Sequence, residues 1–132
     1  MRLSRNMLRV LVLDDDDFQL DVTTEILRGL GLSGITTASS GSQALQKLGA
    51  NASTFHVMLI DLHMPGMDGF QFMESAQKAG YTGHVIIVSG QSADALHAAS
   101  LVAKLRHLKL LGSISKPIDK SALAGMLDKA GR

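Results

Sequence analysis

The chain has 132 residues, 45% of them hydrophobic and 19% charged, which fits one globular domain with its own core and does not fit a disordered segment. Cysteine is absent, which excludes disulfide scaffolds, zinc–thiolate sites, iron–sulfur clusters and thiol nucleophiles, and suits a reducing cytoplasm. Thirteen Lys and Arg against twelve Asp and Glu leave a formal charge of +1, so no global field recruits nucleic acid or anionic lipid. No apolar run reaches the ~20 residues of a bilayer-spanning helix. The apolar stretch behind Arg2 and Arg5 runs into four aspartates instead of a small-residue cleavage site, so export is not expected.

In chain order, residues 8–13 are rich in Val and Leu without polar alternation after Arg9, as in a strand covered on both faces. Asp14 to Asp17 end it. A helix follows, with Phe18, Val22 and Ile26 at a spacing of four, Leu27 and Leu30 on the adjoining stripe, and Gly29, Gly31 and Gly34 as stop signals. Residues 35–38 form a second short strand. Ser39-Ser40-Gly41-Ser42 then leads into a helix whose buried stripe is Ala44, Leu45 and Leu48. The third strand, 56–60, ends at Asp61 and is followed by a turn-rich segment. Phe70, Met73 and Ala76 mark a helix closed by Gly80. Residues 84–88 make a fourth strand ending at Ser89-Gly90, and an Ala/Leu helix is predicted over 93–106. A fifth strand, 110–115, ends at Lys116-Pro117, and Leu123, Met126 and Leu127 place a last helix. Strand followed by helix, five times over and without a linker or repeat, predicts one parallel sheet with helices on both faces.

In such a sheet the ligand crevice lies beyond the carboxyl ends of the strands. The residues expected there are Asp14 and Asp15, Asp61, Ser89 and Lys116. Carboxylates held together at low local dielectric repel, and a hard divalent cation or proton uptake relieves them. Oxygen-only ligation with few protein ligands suits Mg²⁺ better than zinc. A lysine adds a compact cation and a serine a rotatable donor, so the set would stabilise a phosphoryl group on a carboxylate nucleophile.

Four ordered motifs carry a family resemblance. Val10-Leu11-Val12-Leu13-Asp14-Asp15-Asp16 resembles the acidic first motif of the receiver domains of two-component response regulators. Met58-Leu59-Ile60-Asp61-Leu62-His63-Met64-Pro65-Gly66-Met67-Asp68-Gly69 is similar to their phosphoacceptor motif, Val85-Ile86-Ile87-Val88-Ser89-Gly90 to their hydroxyl motif, and Ser115-Lys116-Pro117 to their lysine motif. The resemblance spans nearly the whole chain. It implies a flavodoxin-like doubly wound sheet in strand order 2-1-3-4-5, and a single domain over 1–132 with an ordered core of about 7–130. It further implies Asp61 as phosphoacceptor, Asp14, Asp15, Asp61 and the His63 backbone carbonyl as Mg²⁺ ligands, and Ser89 and Lys116 as phosphoryl contacts. The implied partners are a sensor histidine kinase or phosphotransfer protein in a bacterial cytoplasm, with a homodimer as a further arrangement. The stretch from Ala93 to Ile118 also resembles receivers fused to cyclic-di-GMP phosphodiesterase domains, which would place such an output domain after this segment.

Plainer roles compete at several positions. Asp16 and Asp17 suit a helix cap and macrodipole partner. Lys116 before Pro117 fits a solvated loop lysine, as most lysines are, but the proline supports a fixed site, since an X-Pro bond that adopts cis makes a tight turn and aims the lysine inward. The five histidines, His56, His63, His84, His97 and His107, show no metal-ligand spacing and read as structural or surface residues, with His63 at the pocket rim as a partial exception. Receivers commonly carry an aromatic residue three positions before the lysine; here that position is Ser113, and no aromatic residue follows Tyr81. Three rivals remain. A Mg²⁺-dependent aspartyl-phosphate phosphohydrolase is suggested by Asp14 and Asp16, but Phe18 departs from its pattern. A flavin module fits poorly with four carboxylates facing a phosphate. A degenerate receiver acting only as an interaction module has Ser113 alone in its favour.

Overall fold

The computed structural model describes residues 2–49, 52–62, 69–90 and 108–132. Five strands, β1 (Arg9–Leu13), β2 (Gly34–Ala38), β3 (Val57–Asp61), β4 (His84–Ser89) and β5 (Lys109–Ser115), form one sheet. Their order is β2-β1-β3-β4-β5 and every neighbouring pair is parallel, as the sequence predicts. Among the described residues four α-helices accompany them: α1 (Asp17–Gly29), α2 (Gly41–Leu48), α3 (Gly69–Lys78) and α4 (Lys120–Ala130). The helix predicted over 93–106 lies outside the described residues.

Successive strand residues face opposite sides, and here both sides are covered. Leu11, Leu13, Met58, Ile60, Val85 and Ile87 pack with α2 and α3 through Ala44, Leu48, Phe72, Met73 and Ala76. Val10, Val12, Leu59, Ile86 and Val88 pack with α1 and α4 through Leu20, Leu27, Leu123 and Leu127. That is why β1 and β3 read as unbroken apolar runs. β2 is an edge strand, only partly covered, and can carry Thr36 and Thr37.

The buried stripe of α1 keeps the predicted Leu27 and Leu30 but not the row of Phe18, Val22 and Ile26. Leu20, Thr23, Leu27 and Leu30 are buried, Val22 and Ile26 are half-buried, and Phe18 is 70% exposed. Both stripes obey a 3.6-residue period, and the one carrying Leu20 and Leu27 is the one packed on the sheet, in a helix capped by Asp16. Its side chain accepts from the backbone N–H of Phe18 and Gln19, which leaves Phe18 in the first turn, off the sheet. In β5 one extra residue, Leu111, interrupts the pairing with β4 between Val85 and Ile86. The following Gly112 is pressed against α4, where an added Cβ would stand 2.7 Å from the Met126 Cε.

Candidate functional site

The register sets the levels at the carboxyl end of the sheet. Leu13 pairs with Ile60, Ile60 with Ile87 and Ile87 with Ser113. One residue further, Asp61 pairs with Val88 and Val88 with Ile114, and Asp14 is the residue that follows Leu13. Ser89 pairs with Ser115, immediately before Lys116. Three carboxylates, a serine and a lysine that are up to 102 positions apart in the chain therefore reach one edge. Parallel pairing does this because every strand ends on the same side.

Asp14 and Asp61 are buried and Asp15 is exposed. The three offer carboxylate oxygens that lie within 4.8 Å of one another. Lys116 Nζ donates to Asp14 Oδ2 at 2.8 Å and lies 3.5 Å from Asp61 Oδ2, so one ammonium serves both buried carboxylates. Burial works against the charged Lys116, but the hydrogen bond to Asp14 and the attraction of Asp61 and Asp14 outweigh it and hold its pKa above the ordinary lysine value. The Lys116-Pro117 bond is cis. Asp14 is further fixed on both sides: its backbone N–H donates to the Ala38 carbonyl at 3.2 Å, and its Oδ1 accepts from the Asp16 N–H at 3.0 Å.

Among the residues expected in the site, the structure brings together Asp14, Asp15, Asp61 and Lys116. Ser89 is placed by its backbone at the end of β4. His63 lies outside the described residues, as do His97, His107 and the loop after Gly90. Of the remaining histidines, His56 is structural, its Nδ1 accepting from the Arg9 N–H at 2.9 Å. Ser113, by alternation with the buried Ile114, projects to the face of the sheet that Ile87 occupies.

Two contributors were not legible beforehand. The Ala38 carbonyl supports Asp14 only because β2 is the neighbour of β1. Gly69 packs on the exit of β3. Its N–H donates to the Leu62 carbonyl, and an added Cβ would stand 2.8 Å from both the Asp61 carbonyl oxygen and the Leu62 Cα. A glycine opening the helix eight residues after the strand-end Asp61 was the available signal.

The donor set is all oxygen, compact and partly open to solvent through Asp15, which fits a hard divalent cation such as Mg²⁺. An ammonium beside two buried carboxylates can also take the charge of an incoming anion on Asp61.

The description of the response regulator receiver domain family matches residues 10–128. The chain is 30% identical over 125 residues to the cyclic di-GMP phosphodiesterase RocR of Pseudomonas aeruginosa, covering 94% of this chain and 31% of RocR. It therefore spans about a third of the length of that relative. It is 27% identical over 128 residues to the two-component response regulator ORR41 of Oryza sativa subsp. japonica, covering 96% of this chain and 97% of that protein. The fold resembles a chain in the CheX-CheY-BeF3-Mg complex from Borrelia burgdorferi with a TM-score of 0.78 at 22% identity, covering 92% of this chain and 87% of that one. Among the described residues no helix is long and apolar enough to cross a membrane.

Proposed function

The chain belongs to the receiver domains of two-component response regulators, and on that premise we propose that it is the phosphoacceptor of a phosphorelay, taking a phosphoryl group on Asp61 in a Mg²⁺-dependent step. The observation that carries the reading is the convergence of Asp14, Asp15 and Lys116 on Asp61 at the carboxyl end of the sheet. An oxygen of the Asp61 carboxylate attacks the phosphorus of a phosphohistidine, an O–P bond forms as the N–P bond breaks, and the imidazole leaves. Lys116 follows the charge, sharing its ammonium between Asp14 and the new phosphoryl oxygens, while the Ser89 hydroxyl donates to another. Asp14, Asp15, Asp61 and the His63 backbone carbonyl would hold the metal, which supplies charge neutralisation when bound. The acyl phosphate is then the signal, and the domain, running over 1–132, catalyses nothing beyond its own phosphorylation and dephosphorylation.

The donor is a sensor histidine kinase or a phosphotransfer protein, and the setting is the bacterial cytoplasm. The likeness to RocR favours an output domain of the cyclic-di-GMP phosphodiesterase kind. Intact-mass spectrometry after incubation with acetyl phosphate tests the central step. The wild type should gain one phosphoryl group with Mg²⁺ and none with chelator, and Asp61→Asn should gain none. An adduct that persists in Asp61→Asn would overturn the assignment.

A further inference from the structure

The opposite end of the sheet carries charge that the acidic site does not use. Parallel strands also bring their amino ends to one edge, where Arg9 opens β1, His56 precedes β3, His84 opens β4 and Lys109 opens β5. Arg9 and His56 are locked together. The Arg9 N–H donates to His56 Nδ1 at 2.9 Å, and the His56 N–H donates to the Arg9 carbonyl at 2.9 Å. With Nδ1 occupied as an acceptor, the neutral imidazole carries its proton on Nε2 and presents a donor there.

Beside this pair lies a cavity of about 570 Å³, lined among the described residues by Arg9, Lys47, Ser53, Thr54, Phe55 and His56. That volume falls in the range of small-ligand sites. Its walls offer a guanidinium, an ammonium, an imidazole and two hydroxyls, and no carboxylate stands among them. Lys47 has a plainer role as well, since it sits in the last turn of α2 and opposes the negative end of that helix. The macrodipole gives no account of Arg9 or His56, which belong to strand starts.

We propose that this cavity binds a small phosphate-bearing ligand. Arg9 and Lys47 neutralise the phosphate, with the guanidinium suited to two parallel hydrogen bonds, and the His56 Nε2–H and the Ser53 hydroxyl provide further donors. The cavity shares no residue with the acidic site and stands roughly 15 Å from it, the length of β1. It is thus independent of the phosphoacceptor reading.

The test is titration of the isotope-labelled chain with inorganic pyrophosphate, with chelator present so that metal does not recruit the anion to Asp61. Amide shifts locate the ligand and calorimetry gives the affinity. Binding should saturate at one per chain, with the largest shifts at residues 9, 47 and 53–56. Arg9→Gln and Lys47→Gln, both at exposed positions, should each weaken it at least about fivefold. Lys78→Gln, on an exposed lysine that does not line the cavity, should leave it unchanged. Failure to saturate, an equal loss in Lys78→Gln, or shifts centred on Asp14 and Lys116 would each overturn the proposal.

Discussion

Lys116 is the residue on which the acidic end of the sheet depends, because a single ammonium, 2.8 Å from Asp14 and 3.5 Å from Asp61, stands against two buried carboxylates. Removing it takes away the cation that both carboxylates share. Lys116→Met, which keeps most of the apolar stem, is expected to lower stability by about 2 kcal/mol or more at neutral pH in chelator. Because the folded pKa of Lys116 is raised, its contribution is complete below the ordinary value of 10.5 and is lost as pH rises through the folded value. Denaturant melts of wild type and variant should therefore converge at strongly alkaline pH. Equal stability at neutral pH would mean that the ammonium contributes nothing net. The four consecutive aspartates divide their work at this scale: Asp14 is buried on Lys116, Asp15 joins the carboxylate cluster, Asp16 caps α1, and Asp17 lies in the first turn of that helix.

At the scale of elements, the contact between β3 and α3 aims the site. Gly69 begins α3 with no room for a side chain, since the atoms 2.8 Å from its would-be Cβ are backbone and cannot rotate away. Gly69→Ala should destabilise by about 1–3 kcal/mol despite the better helix propensity of alanine, and should slow phosphorylation by displacing Asp61. Gly125→Ala supplies the contrast. It is exposed, lies within α4 and has nothing within 4 Å of its would-be Cβ, so it should stabilise by about 0.5–1 kcal/mol. Thermal melts of the two variants check both signs, and a gain in Gly69→Ala would show that the strand end yields. The position of Ser113 bears on the same scale. It stands level with Leu13 and Ile60, one residue below Asp61, so β5 offers a small hydroxyl where receivers commonly carry an aromatic ring.

Among the described residues of the whole molecule many charges segregate, although the net charge is only +1. Asp14 and Asp61 end strands, and Asp16, Asp17 and Asp119 start helices at the carboxyl end of the sheet. Arg9 and Lys109 open strands, and Arg28, Lys47, Lys78 and Lys129 fall in the last turns of helices, at the amino end. The helix dipoles favour this arrangement, and the parallel topology sums it over the domain. The Asp128 carboxylate at the basic end is paired. Arg5 binds Asp128 with two parallel hydrogen bonds, at 2.9 and 3.0 Å, tying the amino-terminal turn to α4. The hydrogen bond from Arg5, together with the charges of Arg5, Arg2 and Arg132, holds the Asp128 carboxyl below its ordinary value of 3.8. A depressed carboxyl pKa stabilises above the unfolded value and ceases to do so as pH falls through the folded one. Asp128→Asn should therefore be less stable than wild type near neutrality, and the gap should close in acid. Melts at about pH 7 and about pH 3 measure it, and a gap that does not change with pH would show that the pair acts by packing alone.

Strand identity and the residues at the strand ends were legible because they rest on local patterns, unbroken apolar runs for strands covered on both faces and polar residues where each run stops, whereas strand order followed from the family resemblance. Asp14, Asp61 and Lys116 could be picked out by position alone. The rotation of α1 was not, because two apolar stripes satisfied the same period and packing on the sheet chose between them. Nor was the extra residue at Leu111, the support of Asp14 by Ala38, or the pressure of Gly69 on β3. The first two are contacts between segments distant in the chain and the third joins neighbouring segments, and in each close packing admits one arrangement where propensity admits several.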